Sequence, residues 1–179
     1  MSKQRKKLLI VDGYNVLRSG SRYQRIAGPD YTDDAFNAAR EALVNDVVNF
    51  AGRDWRAIIV FDGAKNQFST GEAQSVGGVR IVFSPAGQSA DKVIEKLAHD
   101  ARERQVETLV VTSDATIQDT VFGFGVDRMS ANGFSREIAL YYEDAHLDET
   151  PKVAQKNTVA ARIDPSTLAK LRALRDAAQ

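Results

Sequence analysis

The chain has 179 residues, 43% of them hydrophobic and 27% charged, which suits one compact domain with a full core and excludes disorder over most of its length. Its 24 Lys and Arg balance 24 Asp and Glu, so there is no global positive field, and any polyanion must be met by a local patch. With no cysteine, disulfides, thiolate metal sites and cysteine nucleophiles are excluded; two histidines, His99 and His146, argue against a histidine-rich metal centre.

The elements follow from hydrophobic period. The N-terminal MSKQRKK is basic, but the apolar run after it is only LLIV, too short for a signal core or a membrane span, and a cytoplasmic protein is expected. Leu8 to Val11 reads as a strand buried on both faces. Residues 18 to 31 are rich in Gly, Ser and Arg and read as a polar loop. Thr32 or Asp33 then caps a long helix whose Phe36, Ala39, Leu43, Val47 and Phe50 recur at helical spacing. Ala57 to Phe61 is a second strand. Residues 64 to 77 lack an apolar period and read as a mobile loop, followed by a strand from Val79 to Phe83.

Ser89 caps the next helix, with Val93, Ile94, Leu97 and Ala101 as its buried stripe. Leu109 to Val111 is a further strand, Thr116 to Phe122 a short helix, and Val126 to Met129 another strand. Ser130 caps a helix reaching about Asp144. Residues 147 to 162 read as an extended linker, and Asp164 with Pro165 opens a last helix. This alternation implies an α/β sandwich with right-handed crossovers. Residues 1 to 146 form the domain, and 147 to 179 its linker and terminal helix.

The apolar runs end in aspartate or lead into one. Asp12, Asp62 and Asp114 follow strands, and Asp91 opens the helix after VFSP. A carboxylate at a buried strand tip is costly to desolvate unless paired or bound to a cation. In a doubly wound parallel sheet these tips share one edge, where ligands bind, so the four aspartates can meet there. With no soft ligands available, the matching ion is hard and oxygen-ligated, Mg²⁺ or Mn²⁺.

VDGYN at the first strand, VFD after the second, SADKVIEKLA on a helix and TSD after a later strand together resemble the NYN domain of YacP-type proteins, within the PIN-like nuclease superfamily. The resemblance spans about Leu8 to Glu143. It implies a three-layer sandwich with a mostly parallel central sheet flanked by helices, and metal-dependent endonucleolytic cleavage of RNA. It further implies an association with mRNA on the ribosome. Carried over by motif, Asp12, Asp91 and Asp114 become metal ligands, supported by Asn15 and Asp62. Asp119 stands near the place of a fourth acidic residue.

Phosphodiester hydrolysis needs an activated water and neutralisation of charge on the leaving oxygen, which divalent ions supply; sequence does not choose between one metal and two. Each residue also has a plainer reading. Asp12 and Asp62 both precede Gly and could cap turns; Asp91 lies in a first helical turn, where the dipole favours a carboxylate. Thr112 and Ser113 could hydrogen-bond the carboxylates or cap the helix after Asp114, and Glu95 could bind a second ion, orient a water or simply pair with a lysine. Tyr14 could pack or stack on a base.

Arg18, Arg22 and Arg25, interleaved with Tyr23, form a candidate track for single-stranded RNA, extended by Lys65, Arg128 and Arg136; the alternative is a solvated surface. The C-terminal Lys170, Arg172 and Arg175 could add a separate contact. Two rival functions compete with the nuclease. A haloacid dehalogenase-type phosphatase needs a second Asp two residues after the first, where this chain has Tyr14. A non-catalytic RNA- or ribosome-binding module on the same fold differs only in chemistry, and retention of Asp12, Asp91 and Asp114 argues against it.

Overall fold

The computed structural model describes residues 6–63 and 73–149, with the side chains of 147–149 excepted. The chain divides into two compact units, Met1–Tyr142 and Glu143–Gln179; of the second, only residues 143–149 are described. The first unit holds a six-stranded sheet made of β1 (Lys7–Asp12), β2 (Trp55–Phe61), β3 (Ala73–Val76), β4 (Val79–Phe83), β5 (Thr108–Val111) and β6 (Val126–Met129). Its order is β3-β4-β2-β1-β5-β6, parallel throughout except for β3, which runs antiparallel to β4.

Alternation along the strands builds two cores. Leu9 and Val11 of β1 face the side covered by α1 (Gly13–Ser19), α2 (Ser21–Ala27), α3 (Asp33–Ala51) and α6 (Ala131–Glu149), where Leu17, Tyr23, Leu43, Val47, Phe134 and Ile138 are buried. Leu8 and Ile10 face α4 (Ala90–Glu103) and α5 (Ala115–Val121), against Ile94, Ala98, Ile117 and Val121. All four β1 residues are at most 2% exposed, which explains why this strand reads as an unbroken apolar run. The result is the expected three-layer α/β sandwich.

Topology places the functional edge. From β1 the chain moves outward through β2 to β4, then crosses to β5 and β6 on the opposite side of β1. The order therefore reverses between β1 and β5, and in such sheets ligands bind outside the C-terminal ends of the strands at that point. Asp12 closes β1 there, and Thr112, Ser113 and Asp114 follow β5.

Several expected elements appear as read. Thr32 caps α3 by accepting from the Ala35 N–H (3.3 Å), and Ser130 Oγ accepts from the Gly133 N–H (2.9 Å) at the start of α6. Ser89 occupies the N-cap position of α4 without a side-chain cap bond. Among the described residues no helix is long and apolar enough to cross a membrane.

Three expectations need correction. Residues 18 to 31 are not a loop: Ser19 ends α1 and residues 21–27 form α2, with Tyr23 and Ala27 buried. Six polar or charged residues between Arg18 and Arg25 obscure the few apolar positions that hold these seven-residue helices to the core. Residues 64 to 77 include strand β3, joined to β4 by Gly77 and Gly78 at φ 56° and 84°, the two-glycine hairpin turn that matches strand twist. Residues 64–72 lie outside the described residues. Finally, α6 continues to Glu149, so residues 147–149 are helical where a linker was expected; the rest of that linker, the helix opened by Asp164 and the basic residues 170, 172 and 175 lie outside the described residues.

Candidate active site

Asp12 is the buried member of the carboxylate cluster, 6% exposed at the tip of β1. Thr112, wholly buried at the end of β5, donates its hydroxyl to Asp12 Oδ2 (2.9 Å) and accepts from the Asp114 N–H (3.1 Å). One hydroxyl thus locks two acidic residues into register across the switch point. Burial pushes the Asp12 carboxyl up to about 6; the Thr112 bond opposes this, and the charges of Asp91 and Asp114 add to it. Asp91, in the first turn of α4, is also raised, by desolvation first and then by Asp114, Asp62 and Glu95.

These shifts have a geometric meaning. Asp12 feels the charges of Asp91 and Asp114, and Asp91 those of Asp114, Asp62 and Glu95, so these carboxylates, from four separate segments, lie within electrostatic reach of one another. Among the described residues no group of three or more Asp, Glu or His side chains is arranged to hold a metal ion directly.

The supporting residues take specific roles. Asn15 Oδ1 accepts from the Ser113 N–H (2.7 Å), so the first turn of α1 is tied to the loop after β5. Ser113 Oγ accepts from the Ala131 N–H (2.9 Å), which ties that loop to the start of α6. Asp114 caps α5 through Oδ1, which accepts from the Thr116 and Ile117 N–H groups at 2.8 and 3.3 Å. Ser84 Oγ accepts from the Gly63 N–H (2.8 Å) and donates to Asp62 Oδ1 (3.4 Å), holding the rim beyond β2. Glu95 pairs with Lys92 at 3.3 Å, the plainest of its three readings, while its charge still reaches Asp91.

Gly13 explains part of the DGYN motif. A Cβ there would fall onto the Phe61 ring, so the glycine answers a demand for space, and its φ is not positive. Tyr14 packs between Phe36 and Phe61, with ring centroids 5.8 and 5.0 Å away.

Other candidates are placed apart. Asp119, 84% exposed on α5, pairs with Arg128 at 3.4 Å. Arg128 also donates to Gln118 O (3.2 Å) and lies 4.9 Å from the Phe122 ring centre. Arg22 is engaged by the buried Asp46, at 2.7 and 3.3 Å, and Tyr23 donates its hydroxyl to the same carboxylate (2.9 Å) instead of standing in a loop. Sequence reading missed Asp46; its signal was a lone acid at position 46 beside Leu43 and Val47, on the apolar face of α3. Arg18, Arg25 and Arg136 are exposed, Arg18 lying 5.8 Å from the Tyr14 ring centre, and Lys65 lies outside the described residues.

The sequence profile of the YacP-like NYN domain matches residues 9–176. The chain belongs to the YacP-like NYN domain family. The matched stretch passes the boundary expected at residue 146 and covers nearly the whole chain. The uncharacterized protein YacP of Bacillus subtilis (strain 168) is 29% identical over 131 residues, covering 73% of this chain and 74% of that protein. The crystal structure of a single-substitution mutant of Rae1 (YacP) from Bacillus subtilis superposes with a TM-score of 0.64 at 26% identity, covering 94% of this chain and 99% of that one. A second Bacillus subtilis Rae1 (YacP) crystal structure, at 24% identity and TM-score 0.62 over 95% of each chain, agrees in fold. The NYN domain is a nuclease-type fold and directs attention to RNA.

Proposed function

We propose that this NYN domain is a metal-dependent endoribonuclease that cleaves single-stranded RNA, with mRNA on the ribosome as substrate, Mg²⁺ or Mn²⁺ as cofactor and the cytoplasm as its place of work. The observation that carries the reading is the Thr112 hydroxyl tying Asp12 to the Asp114 backbone at the topological switch point, with the charges of Asp91 and Asp114 acting on Asp12. Gathering like charges at a crevice works against stability, and such gatherings are characteristic of functional sites.

The donor set fits a hard cation. All its atoms are carboxylate oxygens, the donors that hard ions such as Mg²⁺ take, and an ion that keeps several waters needs few of them directly. Asp12, Asp91 and Asp114 would hold it, with Asp62 at the rim. When bound, such an ion lowers the pKa of a water and offsets charge on the leaving oxygen. The protein's own work is positioning: Thr112 fixes Asp12, the α5 cap fixes Asp114, and Asn15 secures the loop between them. Arg18 and Arg25, exposed on α1 and α2, are available for backbone phosphates.

Incubating labelled RNA with Mg²⁺ or Mn²⁺, against an EDTA control and with ribosomes added or omitted, tests the reading. Metal-dependent cleavage by the wild type, lost in Asp91→Asn, is expected. Binding without cleavage in every condition would instead establish a non-catalytic RNA-binding module on this fold.

A further inference from the structure

The N-terminal edge of the sheet, opposite the acidic crevice, carries a basic groove. Two adjoining hollows of about 440 and 340 Å³ share Arg56 and Arg104 on their walls, with Lys6 lining the first and Arg80 the second. Leu8, Ile58 and Leu97 form the apolar floor. Four cations face one carboxylate of the lining, Asp100, in a chain whose net charge is zero. Neighbouring Glu107 is taken by Lys7 at 2.6 Å. Among the described residues neither Arg56 nor Arg80 forms an ion pair, and both are exposed.

We propose that this groove is a second RNA-binding site, which takes backbone phosphates of an RNA segment other than the one at the acidic crevice. The choice of RNA as the polyanion rests on the function proposed above; the existence of an anion site rests on the groove alone. Arg56 and Asp62 are six residues apart along β2 and its exit, about 20 Å in an extended strand, so the two sites contact separate stretches of a ligand. Arg56 and Arg80 stand on adjacent strands, with Arg80 in register with Ile58, an offset of two residues. That places their Cα atoms about 8 Å apart, a spacing their long side chains adjust to neighbouring phosphates. The guanidinium fork presents paired N–H donors to phosphate oxygens, and its weak hydration lets it do so above an apolar floor.

The site supplies affinity without sequence preference, because nothing in a backbone phosphate reports the base. It also answers the charge balance: a neutral chain with an acidic crevice must draw a polyanion with cations held elsewhere.

The test measures binding of a labelled single-stranded RNA by fluorescence anisotropy in EDTA across a salt series, for wild type, Arg56→Gln/Arg80→Gln and Arg56→Lys/Arg80→Lys. In the Gln variant, affinity should fall about tenfold at low salt, and the slope of log affinity against log salt should flatten by roughly 1.4, two contacts at about 0.7 each. The Lys variant should keep most of the wild-type slope. Where cleavage is measurable, KM should rise in the Gln variant while kcat holds, as the acidic crevice is untouched. An unchanged salt slope in a Gln variant with wild-type thermal unfolding overturns the proposal, as does equal weakening in the Lys and Gln variants. If the wild type cleaves no RNA, the nuclease reading fails, while the salt series still decides whether the groove binds.

Discussion

Asp12 shows how a single residue can work against the fold that holds it. Its carboxyl titrates near 6 in the folded chain against about 3.8 when unfolded, so the native state binds the proton more tightly. The resulting penalty is absent below about pH 4, grows between about 4 and 6, and is complete above about 6. A shift from 3.8 to about 6 corresponds to roughly 3 kcal/mol at neutral pH, an upper figure for a side chain this buried. Asp12→Asn retains an acceptor for the Thr112 hydroxyl and removes the charge. Metal-free Asp12→Asn should therefore melt several degrees above wild type at pH 7.5, and the gap should close near pH 4. Equal melting temperatures at pH 7.5 would show that the buried carboxylate carries no such penalty.

Gly13 makes the neighbouring argument in the opposite direction. Because a Cβ would meet the Phe61 ring, Gly13→Ala must displace a ring that lies tilted against Tyr14 and stacks on Phe83. Overpacking of this kind costs about 1–3 kcal/mol. Denaturant unfolding should show that loss, and Gly28→Ala is no substitute control, since its φ of 69° adds backbone strain. Paired with Phe61→Leu, which clears space for the new methyl, the cost of Gly13→Ala should shrink.

At the scale of elements, the network around Asp46 joins three helices. Asp46 on α3, 1% exposed, receives Arg22 and Tyr23 from α2 and the Tyr142 hydroxyl (2.9 Å) from α6. Asp46→Ala would leave the buried Tyr23 hydroxyl and the half-buried Arg22 without that partner. Its cost should be about 2–4 kcal/mol, with Arg22 discounted for its contact with water. Tyr142→Phe loses the bond it donates to Asp46 and the exposed one it accepts from Asn49 (3.2 Å), and should cost about 1–2 kcal/mol. Urea unfolding of both variants checks the ranking, and a smaller loss in Asp46→Ala than in Tyr142→Phe would overturn it.

The same helices mark where sequence reading succeeds and where it fails. The strands β1, β2, β4 and β5 were legible because they are wholly or largely apolar, and α3 and α4 because their buried stripes run for several turns. Short α1 and α2 offered one turn of pattern each beneath an arginine-rich surface. The hairpin was legible in principle, since VGGV carries its turn, but an exposed β3 with no buried side chain gives no alternation to accompany it. Asp12, Asp62 and Asp114 were placed by the sequence because they follow strand ends, a position that period alone locates. The fate of each arginine was not, because Arg22 and Arg25 differ only in whether a buried acid from a distant helix faces them.

For the whole molecule, the governing feature is the segregation of charge in a neutral chain. Acidic residues gather at the C-terminal edge of the sheet, while Arg56, Arg80 and Arg104 lie towards the other end. Without a cation, the crevice repels a phosphate backbone. Asp91→Asn keeps the side chain's size and removes one of the repelling charges from an exposed position, so the fold should be unchanged. RNA affinity in EDTA should then stay level or rise up to a few-fold, most clearly at low salt, where screening is weakest. Adding Mg²⁺ should strengthen wild-type binding more than that of Asp91→Asn, because the variant has less charge with which to hold the ion. Metal-dependent cleavage should fall by orders of magnitude in the same protein. Anisotropy and cleavage assays on matched samples separate these effects. A wild type that cleaves, beside an Asp91→Asn protein that cleaves equally well, would remove the activity from this crevice, however closely the carboxylates gather there.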